Sequence, residues 1–582
     1  MTVIQNAGGR GRRATAAAGL LMASLLMACA ANEGATGAAG KDSPAEPGSS
    51  ISGNYLAARH AGVVGDDQEA ASFLTAALAQ SPDDPVLLGR AYSALAMDGR
   101  VAEAVEVARR FIAVEQNVAL PYVVVATGDI HDGRFDDAVR TLDNIPHGPL
   151  SLFLTPVLKA WADFGAGRID AATADLGPLK ANPPTATLYD VHAAWLSDAA
   201  GDSAAALAHA RDAVAAQPEP WFRLADLAGQ IFERAGQPAE AAAVYERYLS
   251  RHPDSQLMQP GFTRLHEGVR PGIEIATAQD GAAEVLFDAA GIAGRQNSRE
   301  TALVFGRLGL YLRPDFPELQ ILIGDMLESD QRLADANEVY AGIDPNSPLS
   351  VTAQIGIARN LDRLGHFDEA QRLLRQLAAE RPSDADPLTE LADILRRKER
   401  FAEAVEVYDE AIARIGTLQP RHWRLLYARG IALERSNQWP RAESDFVQAL
   451  KFEPDQPFVL NYLGYSWVEQ GRNLDQAEAM IRKAVELQPN DGYIVDSLGW
   501  VLFRLGRYDE AVIELEQAVE LRPEDAAIND HLGDAYWTVG RQREARYQWM
   551  AALASGPEAK LKAEIEKKLE RGLLREANAG VQ

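Results

Sequence analysis

The apolar positions of this chain repeat with a period of 34 residues, most clearly near its end. Leu498-Gly499, Ala511, Leu515, Ala518 and Pro523 recur as Leu532-Gly533, Ala545, Trp549, Ala552 and Pro557, each shifted by 34. Turn signals lie between the paired apolar segments, as in Leu505-Gly506-Arg507-Tyr508-Asp509-Glu510, where Gly ends one helix and Asp opens another. The repeat unit is therefore two helices joined by a tight turn and stopped by a proline that cannot continue the second. Carried backwards, the phase places an alanine at the opening of each second helix: Ala477, Ala442, Ala404, Ala370, Ala336 and Ala302, then, across a longer break, Ala241, Ala206, Ala172, Ala138, Ala104 and Ala70. Fourteen copies share this alanine, and Pro82, Pro218, Pro253, Pro314, Pro382, Pro454 and Pro489 fall at the matching terminal position.

Each position has a physical reason. Gly499 and Gly533 carry no side chain where the facing helix approaches, and Ala511 and Ala545 fill the same contact from the second helix. Leu515 and Trp549 then lock one hairpin onto the next. Leu-Gly, Ala, a large apolar residue and Pro in this order resemble the tetratricopeptide repeat, and Tyr536 stands where that family has an aromatic. The resemblance implies an all-α fold, a right-handed superhelical solenoid of about fourteen hairpins, in which stability comes from stacking neighbours. Six copies over 51–253 and eight over 282–557 flank a segment, 254–281, with Pro260, Gly261, Pro271 and Gly272, which divides two arrays. Residues 558–582 read as a charged capping helix and tail.

Composition agrees with helices in close contact: 47% of residues are hydrophobic but only 7% aromatic, and alanine supplies much of the difference. A formal charge of −26 argues against nucleic acid as a partner, since phosphate binding needs clustered Lys and Arg. The start of the chain departs from the repeat. Arg10, Arg12 and Arg13 precede a largely apolar run from about Ala16 to Ala28, too short to span a bilayer, so residues 1–28 read as a secretion signal. Arg12-Arg13 lacks the apolar consensus that follows in twin-arginine signals. Leu26-Met27-Ala28-Cys29 resembles the lipobox of bacterial lipoproteins, which implies cleavage before Cys29 and acylation of its thiol and new amino end. Cys29 is the only cysteine, so no disulfide explains it. Ala30 in place of Asp resembles lipoproteins sent to the outer membrane, which implies an envelope protein facing the periplasm. Residues 29–50, rich in Ala, Gly, Ser and Pro, read as a flexible tether with a reach of roughly 25 Å.

Catalytic chemistry has no visible constellation. The ten histidines stand at least 14 residues apart, no Gly-rich phosphate loop follows a strand, and no Gly-x-Ser-x-Gly elbow is present. Neither catalytic residues, a cofactor nor a metal site is expected. Carboxylate pairs such as Asp509-Glu510 open helices, where the dipole favours them. Binding is the better use of such a surface. In tetratricopeptide superhelices the first helix of each repeat lines a groove that holds partner peptides or helices, and the register places Asn461, Tyr465, Asp496, Trp500, Asp530, Asp534 and Trp537 along it. Six of the nine tryptophans lie between Trp423 and Trp549, so this end holds most of the aromatic area that anchors interfaces. Trp500 and Trp537 can equally pack between hairpins. The positions of a basic clamp for a peptide carboxylate hold Asn or Asp.

The lipobox, the number of repeats, the stretch Ala282-Ala283-Glu284-Val285-Leu286-Phe287-Asp288 and the run from Asn461-Tyr462-Leu463-Gly464-Tyr465 through Asp496-Ser497-Leu498-Gly499-Trp500 to His531-Leu532-Gly533-Asp534 resemble the LbcA-type tetratricopeptide lipoproteins of proteobacteria. That resemblance implies a periplasmic adaptor which binds a carboxyl-terminal processing protease and helps it degrade cell-wall hydrolases. A scaffold for outer-membrane or exopolysaccharide assembly machinery is the alternative.

Overall fold

The computed structural model describes residues 47–181, 185–253 and 255–573, so Cys29 and the signal segment lie outside the described residues. Within them the secondary structure is helical throughout, with thirty-one α-helices and a 3-10 turn at Pro420–His422. Twenty-eight of the helices pair into fourteen hairpins, numbered here 1 to 14 in chain order, and in each the repeat alanine is the fourth residue of the second helix. None of these fourteen alanines is more than 4% exposed. A methyl group fits where the two helices touch, and the repeat holds that contact constant.

The turns explain the rest of the register. Thirteen hairpins place a residue of positive φ five positions before the alanine: nine glycines, from Gly65 at 79° to Gly540 at 88°, and Asn297, Gln331, Glu399 and Asn437 at 58° to 62°. Hairpin 12 has one extra turn residue and uses Gly471 and Asn473 instead. The second helices open on arginine more often than on a capping side chain. Asp509, expected to open its helix, sits in the first turn while Arg507 stands at the cap and donates to Glu510 through Nε at 2.7 Å. Arg100 with Glu103, Arg400 with Glu403 and Arg541 with Glu544 repeat the pair. In eight hairpins the proline falls two residues beyond the last helical residue, as with Pro523 after Leu521.

Three helices stand outside the hairpins: Gly177–Lys180, Gln259–Glu267 and the final Ala559–Arg571. No helix among the described residues is long and apolar enough to cross a membrane.

The chain does not simply extend past residue 254. Hairpin 7 (Ala278–Arg295 and Arg299–Leu312) turns back and seats against first helices of the hairpins before it. Gly281 lies so close to the buried Trp161 of hairpin 4 that a Cβ there would stand 2.0 Å from the indole ring. Gln279 donates to the carbonyl of Ile130 at 3.0 Å in hairpin 3, and Arg307 donates to that of Met97 at 3.2 Å in hairpin 2. Tyr311 stacks on His131 with centroids 4.0 Å apart, and Arg332 of hairpin 8 pairs with Asp67 of hairpin 1. The Ala278–Arg295 helix has the composition this position needs: ten of its eighteen residues are buried, on every side, most of them Ala, Gly, Val or Leu. One buried apolar core consequently runs from Ala58 to Ala353 and crosses the 254–281 segment without a break. A second begins at Ala358 and runs to Ile565.

Charge is buried where hairpins 6, 7 and 8 meet. Arg223, 3% exposed, pairs with Glu284, with Glu274 at 2.8 Å and with Glu318 at 3.2 Å, and Arg313 joins Glu274 at 3.0 Å and Glu284 at 3.4 Å. Both guanidiniums lie over Phe316, at 5.2 and 4.8 Å. Asp226 and Asp288 stand beside this cluster, within the field of Arg223 and, respectively, of Arg264 and Arg295. Burial pushes Glu284 and Asp288 up to about 7 and Asp226 up to about 6. Glu274 feels the same burial, but Arg223 and Arg313 outweigh it and hold the carboxyl down at about 2. His192, 3.9 Å from Asp288, is pushed down to about 3 by complete burial and stays neutral.

Candidate functional site

With the inner side of hairpins 2 to 5 occupied by hairpin 7, the inner wall left to a partner is formed by the first helices of hairpins 8 to 14. The seven residues placed there from the register divide into two sets.

Asn461, Tyr465 and Trp500, each partly exposed, line a shelf on hairpins 12 and 13, and Asp496 beside them is buried. Trp500 is half-buried, donates its indole N–H to Glu469 at 2.7 Å and stacks on Phe503 and His531, with centroids 5.1 and 4.2 Å away. His531 Nδ1 lies 2.9 Å from Asp496 Oδ1. Burial opposes charge on this imidazole, but Asp496, with Asp530 and Asp534 behind it, prevails and raises its pKa. The Tyr465 hydroxyl is kept protonated by burial, reinforced by Glu469 and Asp496. Asn461 Oδ1 is buried and accepts no hydrogen bond among the described residues.

Asp530, Asp534 and Trp537 are instead covered by the chain itself. Ala559–Arg571 lies over hairpin 14 and aims Lys568 Nζ at Asp530 Oδ2, 2.7 Å away, and at Asp534 Oδ2, 2.8 Å away. Gly572 then passes over Trp537, leaving no room for a Cβ, and Trp537 packs on the buried Trp549 at 5.4 Å. Burial, against the pull of Lys568, raises Asp534 to about 6. Trp549 also donates to Asp534 Oδ1 at 3.0 Å. The same bond joins the large residue of the second helix to the inner carboxylate fifteen positions earlier in hairpins 8 and 10: Tyr340 to Asp325 at 2.7 Å and Tyr408 to Asp393 at 2.6 Å. These acids are part of the wall's framework.

Phe503, Glu469, His531 and Lys568 were missed from sequence. Phe503 and Glu469 lie on the turn after the chosen positions, on the same helix face, and extending the register by three or four residues finds them. Lys568 had only its place three residues after Ile565, the buried apolar anchor of the last helix. Elsewhere, ligand atoms of Asp190, His209 and Asp212 lie within 4.8 Å of one another, a grouping that spans two helices and that sequence spacing did not suggest.

Comparison with known proteins agrees with this architecture. The tetratricopeptide repeat family matches residues 355–420, 427–492 and 227–255, and a related TPR repeat family matches 499–540. A TPR repeat-containing protein of Pseudomonas aeruginosa is 29% identical over 190 residues, 32% of this chain and 31% of its own length. The BBSome complex member BBS4 of Bos taurus is 28% identical over 148 residues, 25% of this chain and 27% of its own. The chain thus spans less than a third of the curated relatives it matches. Among solved structures, the Cut9 and Hcn1 hetero-tetramer of the APC/C aligns over 90% of this chain and 97% of that one, at 14% identity and a TM-score of 0.38. The chain is an all-α solenoid of helical hairpins with matches to tetratricopeptide repeats in both halves, an architecture that serves as a scaffold for protein–protein interaction.

Proposed function

We propose that this protein is a non-enzymatic, lipid-anchored binding scaffold of the bacterial envelope that brings a carboxyl-terminal processing protease together with its cell-wall hydrolase substrates. Cys29 fixes the chain to the periplasmic face of the outer membrane, and hairpins 8 to 14 hold the partners. One observation carries the reading: the inner side of the amino-terminal hairpins is filled by hairpin 7, whereas on hairpins 12 and 13 the partly exposed Tyr465 and Trp500 stand beside the exposed Glu469, and no other helix among the described residues lies over them as the last helix lies over hairpin 14. Rigid, partly exposed aromatics beside fixed polar groups are what protein interfaces concentrate. Simultaneous capture of enzyme and substrate raises their effective concentration without new chemistry.

The test is crosslinked affinity capture of the mature protein from envelopes, followed by identification of what is bound. A periplasmic processing protease is expected. Its absence, when other envelope proteins are recovered, rules out the adaptor role and leaves the scaffold.

A further inference from the structure

A cleft of about 330 Å³ opens on the inner wall where the repeat breaks its period. Ala404 and Ala442 are 38 residues apart, four more than the repeat, and the added chain carries Gly416 at a φ of 70° and the 3-10 turn Pro420–His422. Hairpin 11 therefore begins from a longer approach, and Trp423, Arg424 and Tyr427 at its start face Thr389, Asp393 and Arg396 of hairpin 10 across the gap.

The chemistry of the two sides differs. On hairpin 10, Asp393 accepts from Tyr408 at 2.6 Å and from Arg396 at 3.3 Å, while Arg396 Nε also reaches the Tyr408 hydroxyl at 3.3 Å. One carboxylate is shared by two donors, which leaves the guanidinium with N–H groups unused. On hairpin 11, the exposed Arg424 lies over the Trp423 ring at 5.3 Å, and no carboxylate among the described residues pairs with it. The Tyr427 hydroxyl, its proton held by burial, feels the charge of Arg396. Two guanidiniums against one occupied carboxylate make the cleft positive, on a protein whose formal charge is −26. Trp423, Leu425 and Ala428 supply an apolar side.

We propose that this cleft binds a carboxylate with an adjacent apolar side chain, presented by a partner polypeptide. Arg424 and Arg396 pair with the carboxylate from opposite sides, and the apolar group lies against Trp423. A guanidinium already stacked on an indole is held in place and loses little freedom on pairing. The inference rests on the scaffold reading above and narrows it to one subsite and one chemistry. The carboxylate can be an Asp or Glu side chain or the end of a chain.

Short fluorescent peptides containing Phe and Glu, with free or amidated C termini, test this by anisotropy with the whole mature protein. Matching peptides with Lys in place of Glu are the control. The Glu peptides should bind, more weakly as salt rises, and the Lys peptides should not; only the free-ended form binding identifies a terminal carboxylate, both forms binding a side chain. Arg424→Glu, at an exposed position that leaves the fold alone, should weaken binding by about tenfold or more. Arg59→Glu on hairpin 1, with the same change in net charge, should leave it unchanged. Equal binding of Glu and Lys peptides, no binding of either, or no effect of Arg424→Glu overturns the inference. Partner capture from envelopes that survives Arg424→Glu at full strength removes the cleft but leaves the scaffold standing.

Discussion

Replacing Gly281 with alanine should destabilise the protein, although alanine is the better helix former by about 1 kcal/mol. The added methyl carbon would lie 2.0 Å from both Cδ2 and Cε2 of Trp161 and 2.4 Å from Cε3. Ordinary carbon contacts need about 3.5 Å, so the ring or the helix must retreat by roughly 1.5 Å. Trp161 has no space for that: it is fully buried, its Nε1 donates to His192 Nδ1 at 3.3 Å, and Phe164 stands edge-on with centroids 5.5 Å away. Overpacking of this kind costs about 1–3 kcal/mol, and a rigid, walled indole belongs at the upper end. After the gain in helix propensity, a net loss of roughly 1–2 kcal/mol remains. Gly291 in the same helix is the internal control, because the nearest atom to a Cβ there is the end of Arg295 at 3.5 Å. Gly291→Ala should therefore stabilise by about 0.5–1 kcal/mol. Urea unfolding followed by circular dichroism separates the two, and small-angle scattering reports whether hairpin 7 has left its seat. The glycine substitution should cost nothing once Trp161 is replaced by Leu, a coupling that only direct contact produces. If Gly281→Ala raises the midpoint as Gly291→Ala does, hairpin 7 does not rest on Trp161 and the self-filled groove is wrong.

The junction of hairpins 6, 7 and 8 should loosen as pH rises. Glu284 moves from 4.5 to about 7 on folding, so the folded state holds the extra proton between those values, and its contribution falls by about 3 kcal/mol as pH climbs through that window. Asp288 acts in the same direction, whereas Glu274, depressed to about 2, contributes above its ordinary value of 4.5 and loses that contribution as pH falls through 2. Hydrogen exchange of Ala278–Arg295 from pH 4.5 to 8, corrected for intrinsic rates, should show greatest protection at the acid end, and Glu284→Gln should flatten the profile. Glu399→Gly, at a φ of 58°, should raise the melting midpoint by relieving a left-handed turn that costs a side chain about 1 kcal/mol; an unchanged or lower midpoint counts against strain there. Trp500→Ala should weaken capture of the partner and lower the thermal midpoint less than Trp537→Ala, which should release the final helix and open a cavity beside Trp549.

The repeat was legible because one small-residue contact recurs fourteen times with little drift, and a single alanine suffices to phase it. The turns were legible where glycine marks them and less so at Gln331 and Glu399, where tertiary stacking imposes a left-handed backbone on residues that do not advertise it. The return of hairpin 7 was not legible from the period, since hairpin 7 has the repeat's own register. Its signal was the all-round small and apolar character of Ala278–Arg295, which a solenoid helix with one exposed face does not need. The same applies to the groove. Register puts Trp500 and Trp537 on one face, but only the position of the last helix separates them, leaving one half-open and the other under Gly572. Charges such as Lys568 on Asp530 and Asp534 join residues 38 and 34 positions apart, a spacing with no local pattern to read.

Binding of partners on the inner wall of the carboxy-terminal hairpins can be read by placing a photo-crosslinker at single positions of the full chain in intact cells. Positions 424 and 500, on the inner wall, should each yield the same crosslinked partner. Positions 513 and 547, where Ile513 and Tyr547 are 65% and 64% exposed on second helices, should yield none. A partner crosslinked from 513 or 547 but not from 424 and 500 would place binding on the second helices instead of the inner wall.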